Sequence, residues 1–419
     1  MQVFKFGGAS VKDADAVKNV TTIVQSFAAK KLVIIVSAMG KTTNKLEAII
    51  AACANQNKSL FDQHFKELED YHNQIVEQLF PEKNEILNLQ LHNYFSEINR
   101  MFVQYKSFEH NAFYDKMVAY GELLSTRIVE AHLEKSAVKS AWLDASKVVI
   151  TDDKFRSATV DMSLTEAKIQ EACTVAFRMY NIIVTQGFIG SNLKGKQTTL
   201  GREGSDYSGA IFAYCLNASS LTIWKDVEGM YNADPKSFPK AEKLDAISYK
   251  DAIELSYYGA SVIHPKTIQP LQNKEIPLYV KSFLDPSHPG TAIKKDAFNT
   301  IPCYIIKDKQ VLVSLSTKNF SFIAEKNLAE IFNKYDQLDM KINIMQNSAV
   351  NFSALFDEKQ FQESKVLEAF QSSYAVRYNE NVELITIRHY NSAIIEELTA
   401  GREILLEQRT RETVRFVVR

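Results

Sequence analysis

Between Thr198 and Ser208 the chain reads Thr-Thr-Leu-Gly-Arg-Glu-Gly-Ser-Asp-Tyr-Ser, a glycine-broken turn carrying Arg202, Ser205 and Asp206 that runs straight into an apolar helix over 207 to 216. The start of a helix presents unpaired N–H groups and the positive end of the helix dipole, so an anion is favoured there. Arg202 adds a planar fork suited to a carboxylate or a phosphate. A second turn of this kind, Gly7-Gly8-Ala9-Ser10, follows the alternating strand 2 to 6 and precedes a helix over 13 to 29. Lys5 ends that strand, where an ammonium and the N–H groups of the turn could meet at a phosphate. A surface lysine beside a structural turn is the ordinary alternative, and the spacing is neither GxxxxGK[ST] nor GxGxxG. Two such cradles suggest two anionic substrates brought together.

Further polar residues sit where open α/β sheets place ligands. Ser37, Thr42 and Thr43 follow the apolar run Leu32–Val36, at its carboxyl edge, where hydroxyls could bind a carboxylate or simply bond the local backbone. Glu122 stands in an otherwise apolar helical segment, so it needs a partner if buried: a bound ammonium, or a neighbour such as Arg127. Asp226 opens a turn-rich loop in which Tyr231 could lie against a purine and Lys236 could reach its phosphates, unless the loop is a plain connector. Residues 259 to 267 form another special turn, with His264 read as structural and Lys266 beside it. The eight histidines lack metal spacing, no metal ligands are assigned, and no Ser-His-Asp or Cys-His arrangement can be argued.

The elements that must hold these residues follow from periodicity. With 419 residues, two or three domains are expected. The 49 basic and 50 acidic residues nearly cancel, and without a long block of like charge, nucleic acid and anionic membrane are not expected partners. Cys53, Cys173, Cys215 and Cys303 are far apart with no CxxC pair, which fits a reduced, cytoplasmic setting. The chain opens on a strand, lacks a secretory apolar segment and has no run long enough for a membrane span, so it reads as soluble. Strands over 2 to 6, 32 to 36, 137 to 143, 182 to 185, 221 to 224 and 276 to 281 alternate with helices, while 46 to 133 is mostly helical with a break at Pro81. That alternation predicts an α/β protein: a largely parallel sheet between two layers of helices. Composition shifts near 286 to 300, and the remainder reads as βαββαβ followed by a second round that stops before its last helix and strand. The domains expected are 1–298, 306–381 and a partial unit 382–419.

Taken in order, these segments resemble the aspartokinases of the amino acid kinase superfamily. Lys5-Phe6-Gly7-Gly8-Ala9-Ser10 resembles the family's opening KFGGTS, Ser37 to Gly40 its SAMG, and Glu122 lies in its YGE-L-S pattern. Thr198 to Asp206 is similar to TTLGRGGSD, Asp226 to Lys236 to DVDG…ADPR, and Gly259 to Thr267 to GA-V-HPKT. The tail is similar to paired ACT domains, small α+β modules that bind amino acids. The resemblance implies transfer of a phosphoryl group from ATP, carrying Mg²⁺, to the side-chain carboxylate of L-aspartate, the entry step to lysine, threonine and methionine. It implies that Lys5 and Gly7-Gly8 steady the phosphoryl group, and that Asp206 organises the lysine and the phosphate. Ser37 with Thr42 or Thr43 would hold the side-chain carboxylate, Glu122 the α-ammonium, and Arg202 with Ser205 the α-carboxylate. Ser10, Asp226, Tyr231, Lys236 and Lys266 would belong to the nucleotide site. A homodimer is expected, in part because the truncated second ACT unit leaves a sheet edge to be covered.

Several positions depart from the pattern. Ala9 replaces Thr, Lys225 replaces Thr, Lys236 replaces Arg, and Glu203 replaces a Gly inside the anion turn. A carboxylate beside a phosphate is tolerable only in water or paired, so Glu203 is expected to face solvent or a cation. Residues 342 to 349 sit where lysine-sensitive relatives show VDLI-TSE, with Asn343 and Ala349 replacing two acids, so a basic effector loses its counter-charges. Two rivals remain: a superfamily kinase acting on glutamate, acetylglutamate or a nucleotide, and a non-catalytic amino-acid sensor on a kinase scaffold.

Overall fold

Period-two alternation sorts the first strand, Gln2–Phe6, into two faces: Phe4 and Phe6 point to one side, Val3 and Lys5 to the other. The computed structural model describes all residues except 259–262 and 320, and the side chain of Tyr258. Gln2–Phe6 lies inside an eight-stranded sheet, paired in parallel with Leu32–Val36 on one side and Ser220–Lys225 on the other. Ile182–Gln186 and Ser140–Leu143 extend the sheet in parallel beyond Leu32–Val36, and Leu278–Ser282 extends it beyond Ser220–Lys225. Thr291–Ile293 joins antiparallel, with Ala246–Ile247 at the edge. Every residue of Leu32–Val36 is buried, as the unbroken β-branched run requires of a strand covered on both faces.

Phe4, Phe6, Ile34, Val36 and Trp224 form a core with the helices Ala14–Gln25, Thr42–Ala54, Lys58–Leu79, Glu85–Gln104 and His110–Lys135. Asp13 caps the first of these by accepting the Ala16 N–H, and the helix ends at Gln25, short of the expected 29, in a series of tight turns. Helix Gly204–Cys215 packs on the opposite face, close to the strand that bears Lys5. The layers are therefore α/β/α. A three-stranded sheet of Ile150–Thr151, Ile189–Asn192 and Gln197–Thr199 was not expected, because its strands are too short to show a period. Its last strand leads into the Gly201 turn.

Contacts divide the chain into two compact units. The first holds Met1–Met230, Lys243–Ile253 and a segment ending at Asn299; the second holds Thr300–Arg419, Tyr231–Glu242 and a segment beginning at Glu254.

In the second unit, two 15-residue strands, Cys303–Thr317 and Tyr374–Arg388, run antiparallel side by side. Each changes course near its middle at a left-handed residue, Lys309 (φ 53°) and Asn381 (φ 54°). Residues 310–316 pair with Asn351–Asp357, which pairs with Ile344–Asn347; residues 383–388 pair with Thr413–Val418, which pairs with Ile404–Arg409. Residues 303–307 pair with 384–388, so the last strand missing from the second βαββαβ round is supplied from upstream in the same chain. This corrects one premise of the dimer expectation: that edge is closed internally. The apolar face of this half, with Tyr304, Ile385 and Phe416, is covered by Ala233 and Phe238. No helix among the described residues is long and apolar enough to cross a membrane.

Candidate active site

The carboxyl ends of the central strands converge on a cavity of about 590 Å³ within the first unit. Register places Lys5 between Ile35 and Ile223, one residue before the strands give way to the turns that wall the cavity. Gly8 brings two of those turns together: a Cβ there would stand 2.9 Å from both Ala38 O and Gly40 O. Gly121 does the same for helix His110–Lys135, since its Cβ would meet that of Ala38 at 2.9 Å. Glu122 thereby reaches the Ala38 turn and accepts its N–H through Oε1 at 3.2 Å.

Lys5 faces helix Gly204–Cys215 and pairs with Asp206 at 2.6 Å. Lys225 approaches the other oxygen of Asp206 at 3.5 Å. Burial alone would raise the Asp206 carboxyl, but Lys5 and Lys225 outweigh it and hold the group below the usual carboxylate range. The result is a buried anion flanked by two ammonium groups that both line the cavity. Glu122 is the opposite case. It is 3% exposed, its Oε2 has no hydrogen-bond partner among the described residues, and burial pushes its carboxyl up to about 8. Arg127 does not pair with it; that guanidinium stacks on Trp142 at 3.5 Å.

The cavity gathers Lys5, Gly8, Ser37, Thr43, Glu122, Arg202, Ser205 and Asp206 from the candidates named by sequence. Thr42 is buried and turned toward the fully buried His72, with 3.5 Å between Oγ1 and Nε2, so Thr43 is the hydroxyl on the cavity. Ser10 is likewise turned inward, its hydroxyl donating to Trp224 O at 3.4 Å, and Gly7 is not on the cavity wall. Lys266 donates to Leu200 O at 3.1 Å and lies over the Tyr207 ring, bracing the turn from behind; burial lowers its ammonium from the usual lysine range. His264 caps helix Pro265–Asn273 by accepting the Lys266 N–H. Asp226 is exposed at the end of its strand, and Tyr231 and Lys236 belong to the second unit. Residues 259–262 of the last motif lie outside the described residues.

Two expectations about the anion turn are corrected. The helix begins at Gly204, three residues early, and three of its first four N–H groups are already bonded, those of Gly204, Asp206 and Tyr207 to Gly201 O and Glu203 O. Of these four N–H groups only that of Ser205 has no backbone partner among the described residues, so side chains and the helix dipole are the main features this turn offers an anion. Glu203 does not turn away. It adopts φ 52° at the helix start, lines the cavity and buries Oε2 without a hydrogen-bond partner among the described residues. The left-handed backbone also explains why a glycine suits this position.

Arg156, Tyr114 and Phe188 line the cavity as well, and sequence reading missed them. Lys225 was legible only as a departure from the family pattern. Asp115, fully buried, accepts from Arg156 N, Thr199 N and Thr199 Oγ1, and its one signal in sequence is a carboxylate within an apolar helical stretch.

The model of the Amino acid kinase family matches residues 1–282. Over 361 residues the chain is 31% identical to the lysine-sensitive aspartokinase 3 of Escherichia coli, covering 85% of this chain and 78% of that protein. It is 30% identical to the chloroplastic aspartokinase 1 of Arabidopsis thaliana, over 87% of this chain and 65% of that longer protein. Among solved structures it is similar to E. coli aspartokinase III in complex with lysine and aspartate (TM-score 0.85, 26% identity, covering 100% of this chain and 96% of that one). The same enzyme in complex with aspartate and ADP matches with a TM-score of 0.84, at the same identity and coverage. By this match in sequence and in fold, the chain belongs to the amino acid kinase family and, within it, to the aspartokinases.

Proposed function

We propose that the cavity transfers the γ-phosphoryl group of ATP to the side-chain carboxylate of L-aspartate, giving 4-phospho-L-aspartate. The observation that carries this reading is the pairing of Lys5 and Lys225 about Asp206 in the same cavity as Arg202 and the unpartnered Glu122. The first cluster suits a transferring phosphoryl group, and the second suits the two charged groups on the α-carbon of an amino acid.

The attacking carboxylate has a reference pKa of about 3.9, so it is ionised at neutral pH and needs no general base. Its difficulty is repulsion: two anions must approach in line. Lys5 and Lys225 offset that repulsion, Asp206 fixes where Lys5 points, and Ser37 and Thr43 orient the attacking group. Glu122 receives the ammonium, and Arg202 with Ser205 the α-carboxylate. The described residues include no group of three or more His, Cys, Asp or Glu able to hold a metal ion. Mg²⁺ accordingly enters this reading with the nucleotide, as part of the substrate, supplying charge to its phosphates. Assigning nucleotide contacts to Gly7, Ser10, Asp226, Tyr231, Lys236 and Lys266 rests on the motifs alone.

The product feeds lysine, threonine and methionine synthesis, and we read the protein as a cytoplasmic homodimer whose second unit binds an amino-acid effector. ADP release measured with aspartate, glutamate, N-acetylglutamate and UMP tests the substrate. Aspartate should exceed the others by at least about 100-fold in kcat/KM. Equal rates without any acceptor, or a preference for another acceptor, refute the reading.

A further inference from the structure

We infer that Arg156 binds the α-carboxylate of the substrate beside Arg202, a role that rests on the aspartate kinase reading. Arg156 holds φ at 69°, a left-handed conformation that disfavours any residue with a Cβ. Strain of this kind persists only where the surroundings over-determine it. Here Asp115 does so: both of its oxygens accept the Arg156 N–H, at 3.0 and 2.9 Å, while it also accepts Thr199 N and Thr199 Oγ1, each at 2.8 Å. One buried carboxylate thus fastens the Arg156 loop to the strand that runs into the Gly201–Arg202 turn. The two segments also touch, because Arg156 O lies 3.3 Å from where a Cβ on Gly201 would stand.

The head group is positioned as well. The guanidinium lies 4.2 Å from the centroid of the Tyr114 ring, and Tyr114 is itself held by its hydroxyl donating to Glu47 at 2.6 Å. Arg156 lines the cavity, where its side chain also hydrogen-bonds Tyr114. A strained arginine, stacked on Tyr114 and bonded to it, presents its remaining N–H donors to a site that must hold a dicarboxylic amino acid. The reacting carboxylate belongs beside Lys5, Asp206 and Lys225. The second carboxylate then falls to the cations of the Gly201 side, Arg202 and Arg156.

Arg156→Gly tests this cleanly, because glycine adopts the same backbone without strain and keeps the N–H that Asp115 accepts. Binding of L-aspartate and of its α-amide, which retains the ammonium and the reacting carboxylate, is measured by calorimetry, with KM for both substrates and the thermal midpoint alongside. Loss of a charge-assisted contact should weaken aspartate about 10-fold to 100-fold, while the amide, which lacks the charge, loses much less. The KM for ATP and the thermal midpoint should stay near wild type, and Arg156→Lys should recover part of the affinity. Unchanged aspartate affinity in Arg156→Gly overturns the inference, as does an equal loss for aspartate and amide, or a fall in thermal midpoint with no change in affinity. A wild-type protein that neither binds nor phosphorylates aspartate sinks the parent reading and this role together, an outcome distinct from all of these.

Discussion

Glu122 makes the sharpest test of the electrostatics, because the protonation that burial favours differs from the state its proposed role requires. Its carboxyl is pushed up from 4.5 to about 8 by burial, with one oxygen unpartnered. At pH 7 roughly one molecule in ten is then ionised, and ionising the rest to receive an ammonium costs about 1.4 kcal/mol. Aspartate binding should therefore release close to one proton at pH 7. Its apparent affinity should rise about 50-fold between pH 6 and pH 8 and then level off. The same shift governs stability. Between 4.5 and about 8 the native state holds a proton that the unfolded chain has lost, so Glu122's contribution is full below 4.5 and falls as pH rises, by about 1.4 kcal/mol per unit. Glu122→Gln keeps the shape and cannot titrate. Its stability relative to wild type should grow by up to about 4 kcal/mol from pH 5 to pH 8 in denaturant unfolding, and its aspartate affinity should fall and lose the pH slope. A constant stability gap across that range, together with a flat pH dependence of aspartate binding in the wild type, refutes the reasoning.

Lys225→Met removes one of the two cations on Asp206, so kcat should fall about 10-fold to 100-fold with Lys225→Arg restoring most of it, which steady-state kinetics reads directly. Glu203→Gly relieves a left-handed backbone and removes a buried unpartnered oxygen, and should stabilise the protein by about 1 kcal/mol in chemical denaturation. Lysine at millimolar concentration should leave the rate unchanged. Asn343 donates to Gln310 and Asp357 at 2.8 and 2.9 Å and accepts from Lys307 at 3.2 Å, so an ammonium of the chain itself occupies that network. Inhibition assays with lysine and threonine side by side check this.

The parts of the site that a local pattern can encode were legible. Lys5 lies near the end of a strand, Gly7 and Gly8 form the turn after it, and Arg202, Ser205 and Asp206 lie in a glycine-broken turn leading into a helix; each combines a residue type with a place beside an element. Choosing between Thr42 and Thr43 was beyond sequence, because neighbours on a helix point about 100° apart and only the packing against His72 fixes which one faces in. Glu203 was misread for a related reason: the left-handed turn at the helix start aims its side chain inward, against the expectation from charge alone. Arg156 and Lys225 carry no motif of their own, and they join the site only when distant segments assemble around Asp115 and Asp206. In the second unit the βαββαβ order was visible, but the pairing of residues 303–307 with 384–388 spans a long stretch of chain and leaves no local trace.

The most direct measurement is the product itself. With ATP, Mg²⁺, L-aspartate and hydroxylamine, the wild type should form aspartyl β-hydroxamate in step with ADP. Lys5→Met, folded as judged by its thermal midpoint, should lose at least about 100-fold of that rate. ADP released without hydroxamate, or a Lys5→Met protein as active as the wild type, contradicts phosphoryl transfer at the Lys5–Asp206 pair.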